Sequence, residues 1–164
     1  LMHLRAARLD DCPLILSLIR ELAEYERLLH EVATTVEDLA QHLFGPTPRA
    51  EALLVEADDQ VAGFALYFHN FSTFVGKPGL YLEDLYIRPA FRGRGYGRRV
   101  MQALARIAVE RGCGRFEWWV LDWNAPAIAF YRSLGAQPMS EWTVQRVSGA
   151  ALLALAGAAD AAAD

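Results

Sequence analysis

The sequence predicts a mixed α/β fold on three observations. The predicted elements follow the order strand, two helices, three strands, helix, strand, helix, strand, which is not the regular alternation of a doubly wound fold. The chain has 164 residues, enough for one domain with a sizeable core. Apolar residues make up 54% and charged residues 22%, as in a globular protein. We therefore expect one domain over residues 1–164, with an alanine-rich tail from about Gly149.

The first part of the chain predicts one strand and two helices. His3 to Arg8 has the composition of a short strand. Acidic capping residues and a proline in Asp10–Pro13 predict the start of a helix, which runs to Tyr25 or Glu26 with leucines recurring on one face. The segment Thr35 to Phe44 opens with the pattern of a capping box and predicts a second, shorter helix.

The middle of the chain predicts three strands and a long helix. Ala52–Ala57 and Val61–Asn70 have strand patterns and are joined by a turn at Asp58-Asp59. Leu80–Ile87 is the third strand, and its partial alternation indicates that both of its faces are covered near its end. From Tyr96 to Arg111 the apolar residues share one helical face, which predicts a helix.

The last part of the chain predicts a strand, a short helix and a final strand. Phe116–Leu121 is rich in aromatic and β-branched residues, as strands are. Asn124 is the cap of a helix that runs to about Leu134. Glu141–Val147 has the pattern of a last strand. The tail, Gly149–Asp164, predicts a short amphipathic helix that frays.

Composition and charge exclude several classes of function. The net charge is −4 and the pI is about 5.6, without an extended basic stripe, so no nucleic-acid partner is expected. Neither the two cysteines nor the four histidines have the spacing of metal ligands, so no metal is predicted. No signal peptide and no apolar run long enough to cross a bilayer is found, so we expect a cytoplasmic protein with no membrane partner.

A loop rich in glycine and arginine, between the strand Leu80–Ile87 and the helix that follows it, is the most informative segment. Three glycines interleave there with Arg88, Arg92, Arg94, Arg98 and Arg99. A helix start with solvated arginines is the alternative interpretation. We favour a phosphate or pyrophosphate site, because glycines let the backbone approach a ligand and a helix N-terminus attracts negative charge. Glu83 lies upstream on the same strand, which would place a carboxylate near that ligand.

Two motifs resemble those of one enzyme family. The loop lacks the lysine of a P-loop, and its glycines do not have the spacing of a Rossmann fingerprint. Arg92–Gly97 instead matches the [Q/R]-x-x-G-x-[G/A] pyrophosphate loop of the GCN5-related N-acetyltransferases (GNAT), and Asn124–Ala136 matches a second segment of that family. The resemblance extends from about His3 to Val147. It implies a GNAT-type mixed, mostly antiparallel central sheet flanked by helices.

Four further segments resemble the diamine acetyltransferase branch of this family, the spermidine/spermine and thialysine acetyltransferases. These segments are Leu18–Glu26, Phe71–Lys77, Tyr81–Tyr86 and Val120–Asn124. The polyamine enzymes of the branch typically carry Asp and Trp near the positions of Ser72 and Phe74. Ser72 therefore removes a carboxylate that would hold a distal ammonium, which favours the thialysine-like side. The resemblance also implies a homodimer.

The resemblance implies acetyl-coenzyme A (acetyl-CoA) as the cosubstrate. Its pyrophosphate would lie on the backbone N–H groups of Gly93 to Arg98, where the helix dipole favours negative charge. The segment Leu85–Ile87 would bind the pantetheine arm and hydrogen-bond the thioester oxygen. The residues expected to contact the cosubstrate are Leu85, Tyr86, Ile87, Arg92, Gly93, Arg94, Gly95, Tyr96, Gly97, Arg98, Asn124, Ala127 and Phe130.

Two residues are candidates for proton transfer. An alkylammonium titrates near pH ~10.4 and must lose a proton before it attacks, so Glu83 is the candidate base, directly or through water. Its alternative role is an exposed strand carboxylate paired with an arginine, and strand alternation places Asp84 on the opposite face. Tyr131 stands where the family often has a general-acid tyrosine for the leaving thiolate; its alternative role is an aromatic core residue.

Four residues are candidates for binding the amine: Tyr25, Glu26, Glu83 and Trp119. Tyr25 and Glu26 match amine-binding positions of the branch, although a solvated helix end has the same appearance, and Trp119 offers an aromatic face to a cation. The expected function is acetyl transfer to a primary amine of a small cationic molecule, a thialysine- or lysine-like amine or a di- or polyamine, by direct attack in a ternary complex. The alternatives are a protein or peptide N-acetyltransferase and a non-catalytic acyl-CoA-binding sensor.

Overall fold

A computed structural model describes residues 1–158 of the chain. Its strands are β1 (Met2–Ala6), β2 (Glu51–Ala57), β3 (Gln60–Ser72), β4 (Lys77–Ile87) and β5 (Arg115–Trp118). Its α-helices are α1 (Cys12–Tyr25), α2 (Val36–Phe44), α3 (Tyr96–Glu110), α4 (Ala125–Ser133) and α5 (Gly149–Leu155). The predicted mixed α/β class is therefore confirmed.

The five strands form one sheet in the order β1-β2-β3-β4-β5. Neighbouring strands are antiparallel from β1 to β4, whereas β5 is parallel to β4. A parallel pair needs a long crossover, and α3 supplies it between β4 and β5. The predicted hairpin turn between β2 and β3 is present, with Asp58 and Asp59 both at positive φ (54° and 58°).

Helices pack against the sheet through the apolar stripes that the sequence predicts. On one face, α1 and α2 bury their stripes against β2, β3 and β4. The buried side chains of this face are Cys12, Ile15, Leu18, Leu39, Leu43, Ala52, Leu54, Phe64, Leu66 and Tyr86. Alternate strand residues such as Val55 and Ala65 are also fully buried. The helix α3, whose Val100 and Leu104 are fully buried, contacts β4 and β5.

The strands β4 and β5 pair over only part of their length. The pairing joins Gly79–Leu82 to Arg115–Trp118 and stops there, although β4 continues to Ile87. The predicted strand Phe116–Leu121 is therefore too long at its end. Pairing with β5 stops immediately before Glu83, where a β-bulge interrupts the regular pairing of β4 with β3. Beyond Leu82 this edge of β4 pairs with no other strand of residues 1–158.

The chain divides into two compact units, of which the first is Leu1–Ile128 and the second begins at Ala129. The second unit, taken by itself, holds the end of α4, an irregular segment and α5. The prediction of a strand at Glu141–Val147 is wrong, since this segment has no regular structure and Trp142 is exposed. A strand pattern yields a strand only where an edge pairs with it.

The predicted tail helix is present as α5, and residues 159–164 of the tail lie outside the described part of the chain. The single-domain organisation stays a prediction. Within residues 1–158, no helix combines the length and the hydropathy needed to cross a membrane. The same residues contain no group of three or more His, Cys, Asp and Glu side chains arranged to hold a metal ion.

Candidate active site

The loop between β4 and α3 presents backbone N–H groups at the start of a helix. Gly93 and Gly95 have φ of 78° and 77°, a conformation that favours glycine. The hydrogen bond from the Arg99 N–H to the Gly95 carbonyl (3.2 Å) begins the helical ladder, so the N–H groups of Tyr96 and Gly97 precede it. A Cβ at either of the two positive-φ glycines would meet no atom within 4 Å. This open backbone surface fits a pyrophosphate.

The arginine side chains of the loop are largely engaged with the protein itself. Arg88 holds Glu21 with Nη2 at 2.9 Å from Oε2, and Arg94 holds Asp58 at 2.8 Å. Arg92 donates from Nε to the Ile87 carbonyl at 2.9 Å. The capacity of the loop for an anion therefore rests on its N–H groups more than on these three guanidinium groups.

The unpaired edge of β4 continues directly into this loop. Leu85, Tyr86 and Ile87 pair with β3 on one side and with no described strand on the other. The Tyr86 ring is buried and its hydroxyl donates to Glu21 at 3.2 Å, which ties this part of β4 to α1. A strand edge that no described strand covers fits an extended, amide-containing chain such as pantetheine.

The bulge in β4 changes which side chains share a face. Leu66 of β3 pairs with Asp84 and the next residue, Tyr67, pairs with Leu82, so Glu83 is the extra residue. Because one residue is inserted, Glu83 and Asp84 both line the same cavity. The expectation that Asp84 points to the opposite face is therefore wrong, since it assumed uninterrupted alternation.

This cavity, which we call the acceptor pocket, has a volume of about 360 Å³ and lies between α1, α2 and the sheet. It is lined by Ile19, Leu22, Ala23, Glu26, Leu28, Glu31, Val32, Thr34, Leu39, Leu66, Glu83 and Asp84. Four of these residues carry carboxylates and seven are apolar. Such a lining favours a cation whose charged groups are joined by methylene groups.

Burial and nearby negative charge raise the pKa of two carboxyl groups in the pocket. Burial, and then the charges of Glu83 and Glu26, raise the pKa of Asp84 from 3.8 to about 7. Burial and the charge of Glu83 also raise the pKa of Glu26. A bound ammonium would relieve this repulsion. Asp84 is not among the site residues predicted from the sequence, although two consecutive carboxylates in an apolar strand are a usable signal.

Two of the predicted amine-binding residues lie outside the acceptor pocket. The Tyr25 hydroxyl donates to Asn124 Oδ1 at 3.4 Å, and its ring faces the Arg92 guanidinium. Trp119 follows β5, is 57% exposed and meets the Tyr81 ring edge-on at 6.1 Å between centroids. Glu26 and Glu83, by contrast, do line the pocket. The structure thus brings two of the four candidates together.

The start of α4 has the predicted cap. The buried Asn124 accepts the Ala127 N–H on Oδ1 at 3.3 Å, as an N-cap side chain does. Further along α4, in the second unit, the Phe130 and Tyr131 rings lie 5.4 Å apart. The contacts of Ala127 and Phe130 with a cosubstrate, and the acid role of Tyr131, stay predictions.

Comparison with known proteins identifies the family. The model of the Acetyltransferase (GNAT) family matches residues 16–136, well over half of the chain. The chain belongs to this family. It is therefore an N-acetyltransferase, and members of the family take their acetyl group from acetyl-CoA. The predicted resemblance and GNAT fold are confirmed.

The relatives of this acetyltransferase act on small amines, according to their names. Thialysine N-epsilon-acetyltransferase of Bos taurus is 41% identical, with 94% of this chain and 96% of the relative covered. L-ornithine N5-acetyltransferase of Arabidopsis thaliana is 34% identical, with 93% and 87% covered. Among solved structures, an integron cassette protein from the mobile metagenome of V. cholerae has a TM-score of 0.78, 28% identity, and coverage of 94% and 97%.

Replacing Asp84 with asparagine is expected to stabilise the acetyltransferase at high pH. The pKa of the Asp84 carboxyl is 3.8 in the unfolded chain and about 7 in the folded protein. The free energy that this carboxylate costs the folded state is therefore absent below pH 3.8, grows up to pH 7 and is complete above pH 7. The gain in free energy of unfolding is up to about 4 kcal/mol at pH 8 and about 2 kcal/mol at pH 5. Urea denaturation of the wild type and of Asp84→Asn at both pH values measures this gain.

The exposed Asp122 provides the matched control for this substitution. Asp122→Asn is expected to leave the free energy of unfolding close to that of the wild type at pH 5 and at pH 8. A gain for Asp84→Asn that is the same at both pH values would contradict the assigned cause, because a raised pKa must produce a pH-dependent difference.

Proposed function

We propose that this acetyltransferase transfers an acetyl group from acetyl-CoA to a primary amine of a small cationic molecule, by direct attack in a ternary complex. The observation that carries the proposal is the lining of the acceptor pocket. This lining combines apolar side chains with four carboxylates, those of Glu26, Glu31, Glu83 and Asp84. Glu83 and Asp84 belong to the strand that leads into the loop with the two positive-φ glycines. An amine site and a pyrophosphate site are therefore joined by one short segment.

The preferred acceptor is a lysine-like amine such as thialysine, followed by ornithine and by di- or polyamines. Thialysine and ornithine appear in the names of relatives, and each carries a primary amine at the end of a short chain. Leu22, Leu28 and Leu66 provide apolar contacts for the methylene groups of such a chain. The four carboxylates provide partners for its positive charges.

Each residue has a proposed role in the transfer. Asp84 and Glu26 hold and orient the ammonium, and Glu83 accepts its proton directly or through water. Backbone groups on the outer edge of Leu85–Ile87 orient the pantetheine arm, and an N–H of this segment stabilises the developing oxyanion. Acetyl-CoA supplies the activated acetyl group as a thioester. Tyr131 donates a proton to the leaving thiolate.

Tyr131→Phe is expected to lower kcat by about 100-fold and to leave the KM for the amine unchanged, because the lost hydroxyl would act only on the leaving group. Steady-state assays at saturating acetyl-CoA measure this effect. The control is Tyr67→Phe, which removes the hydroxyl of a buried tyrosine on β3 and is expected to keep kcat near the wild-type value. Equal kcat values for the wild type, Tyr131→Phe and Tyr67→Phe would show that Tyr131 is not the general acid.

The decisive experiment measures release of the coenzyme A thiol from acetyl-CoA with thialysine, lysine, ornithine, spermidine and putrescine as separate acceptors. Release that depends strongly on one of these amines supports the proposal and identifies the acceptor. Release with peptide amines alone would support a protein or peptide acetyltransferase. Binding of acetyl-CoA without release for any acceptor would indicate a non-catalytic sensor, and the proposal would fail.

A homodimer is part of the proposal. The segment Glu141–Val147 has the composition of a strand but no regular structure, and it exposes Trp142, Val144 and Val147. An exposed strand-like segment with apolar side chains is suited to pairing with a second copy of the chain. Sedimentation equilibrium tests this, and a monomer at micromolar concentration would contradict it. Location in the cytoplasm stays a prediction from the sequence.

A further inference from the structure

Tyr25 and Glu26 are neighbours in the sequence but lie on different sides of the end of α1. Successive residues of an α-helix point about 100° apart, and the chain turns only after Glu26, where Arg27 has φ of 62° and the Leu28 N–H donates back to the Ala23 carbonyl at 2.8 Å. Glu26 lines the acceptor pocket, whereas Tyr25 does not. The two residues therefore contact different parts of the site, although both match amine-binding positions in the sequence.

The ring of Tyr25 contacts the first residue of the pyrophosphate-loop motif. The Cζ atom of Arg92 lies 5.1 Å from the centroid of Tyr25 and 5.7 Å from that of Tyr86, both within the range of a cation–π interaction. The Nε of the same guanidinium donates to the Ile87 carbonyl at 2.9 Å. Arg92 is thus held between α1 and the end of β4, immediately before Gly93.

The hydroxyl of Tyr25 contacts the start of α4. It donates to Asn124 Oδ1 at 3.4 Å, and the same oxygen accepts the Ala127 N–H that begins the helix. Trp123 lies beside it, with its ring centroid 6.3 Å from that of Tyr25. One side chain therefore connects α1, the pyrophosphate loop and the turn that precedes α4.

We propose that Tyr25 is a positioning residue for the acetyl-CoA loop and not an amine-binding residue. Its ring fixes the guanidinium of Arg92, and Arg92 fixes the loop relative to β4. The inference rests on the proposed binding of acetyl-CoA at this loop. It has a direct consequence: loss of the ring must weaken binding of acetyl-CoA and leave binding of the amine unchanged.

The test compares KM for the two substrates in three variants. Tyr25→Leu removes the ring and is expected to raise the KM for acetyl-CoA about fivefold with no change in the KM for the amine. Tyr25→Phe keeps the ring and is expected to retain the wild-type KM for acetyl-CoA. Glu26→Gln, one residue along, is expected to show the opposite pattern: a raised KM for the amine and an unchanged KM for acetyl-CoA.

A double-mutant cycle with Arg92→Met tests whether Tyr25 acts through Arg92. The double variant Tyr25→Leu/Arg92→Met is expected to raise the KM for acetyl-CoA no more than Arg92→Met alone, because both changes break one contact. Fully additive effects, or a raised KM for the amine in Tyr25→Leu, would overturn the proposal. Arg92→Met also probes the contact without altering α1, should Tyr25→Leu fail to fold.

Direct binding separates failure of this inference from failure of the proposed function. Titration calorimetry measures the affinity of the wild type and of Tyr25→Leu for acetyl-CoA. A wild-type protein that does not bind acetyl-CoA would overturn both proposals. A wild type that binds, together with a Tyr25→Leu variant of the same affinity, would overturn only the positioning role of Tyr25.

Discussion

Glu83→Gln is expected to lower kcat by about 100-fold, the lower end of the range for loss of a general base. The glutamine side chain has the same size, so the bulge and the acceptor pocket are retained, but an amide cannot accept the proton of the ammonium. The effect is expected in kcat more than in the KM for the amine, because Glu26 and Asp84 still line the pocket. Steady-state assays between pH 6 and pH 9 measure both constants.

Two further variants make this result specific to Glu83. Glu110→Gln removes one exposed carboxylate at the end of α3 and is expected to leave kcat and both KM values unchanged. Asp84→Asn removes a carboxylate from the same pocket and is expected to act mainly on the KM for the amine. If Glu83→Gln retained wild-type turnover across the pH range, another group would have to accept the proton.

Gly95→Ala is expected to raise the KM for acetyl-CoA by tenfold or more. Gly95 has φ of 77°, where a side chain costs roughly 1–2 kcal/mol and favours a loop conformation that no longer presents its N–H groups to the ligand. A tenfold loss of affinity corresponds to about 1.4 kcal/mol of binding free energy. The added methyl group would meet no protein atom within 4 Å, so it would project into open space at the loop. A ligand bound on the loop would have to accommodate this methyl group as well as the changed backbone.

Gly112 provides a matched control for this substitution. It follows the opposite end of α3, with φ of 74°, and a Cβ there also meets no atom within 4 Å. Gly112→Ala is expected to cost a similar free energy of unfolding and to leave the KM for acetyl-CoA unchanged. An equal rise in KM for both variants would attribute the effect to the stability of α3 and not to the loop.

Short-range patterns in the sequence determined most of the elements and the loop. The helix α2 begins where the capping box predicts, with the Asp38 N–H donating to Thr35 Oγ1 at 3.1 Å and the Thr35 N–H donating to Asp38 at 2.9 Å. Asn124 caps α4 in the same local manner. Gly93 and Gly95 lie at positive φ in the glycine-rich loop that the motif predicts. These features depend on residues within a few positions of each other, so the sequence alone reveals them.

Tertiary structure alone decided how the acceptor pocket is assembled. The bulge at Glu83 arises from the register of β3 against β4, and it brings Asp84 into the pocket beside Glu83 and Glu26. The packing of the end of α1 likewise decides that Tyr25 contacts Arg92 and Asn124, whereas Glu26 lines the pocket. Strand register and side-chain partners far apart in the chain are set by packing of the whole sheet and its helices, which a local pattern does not record.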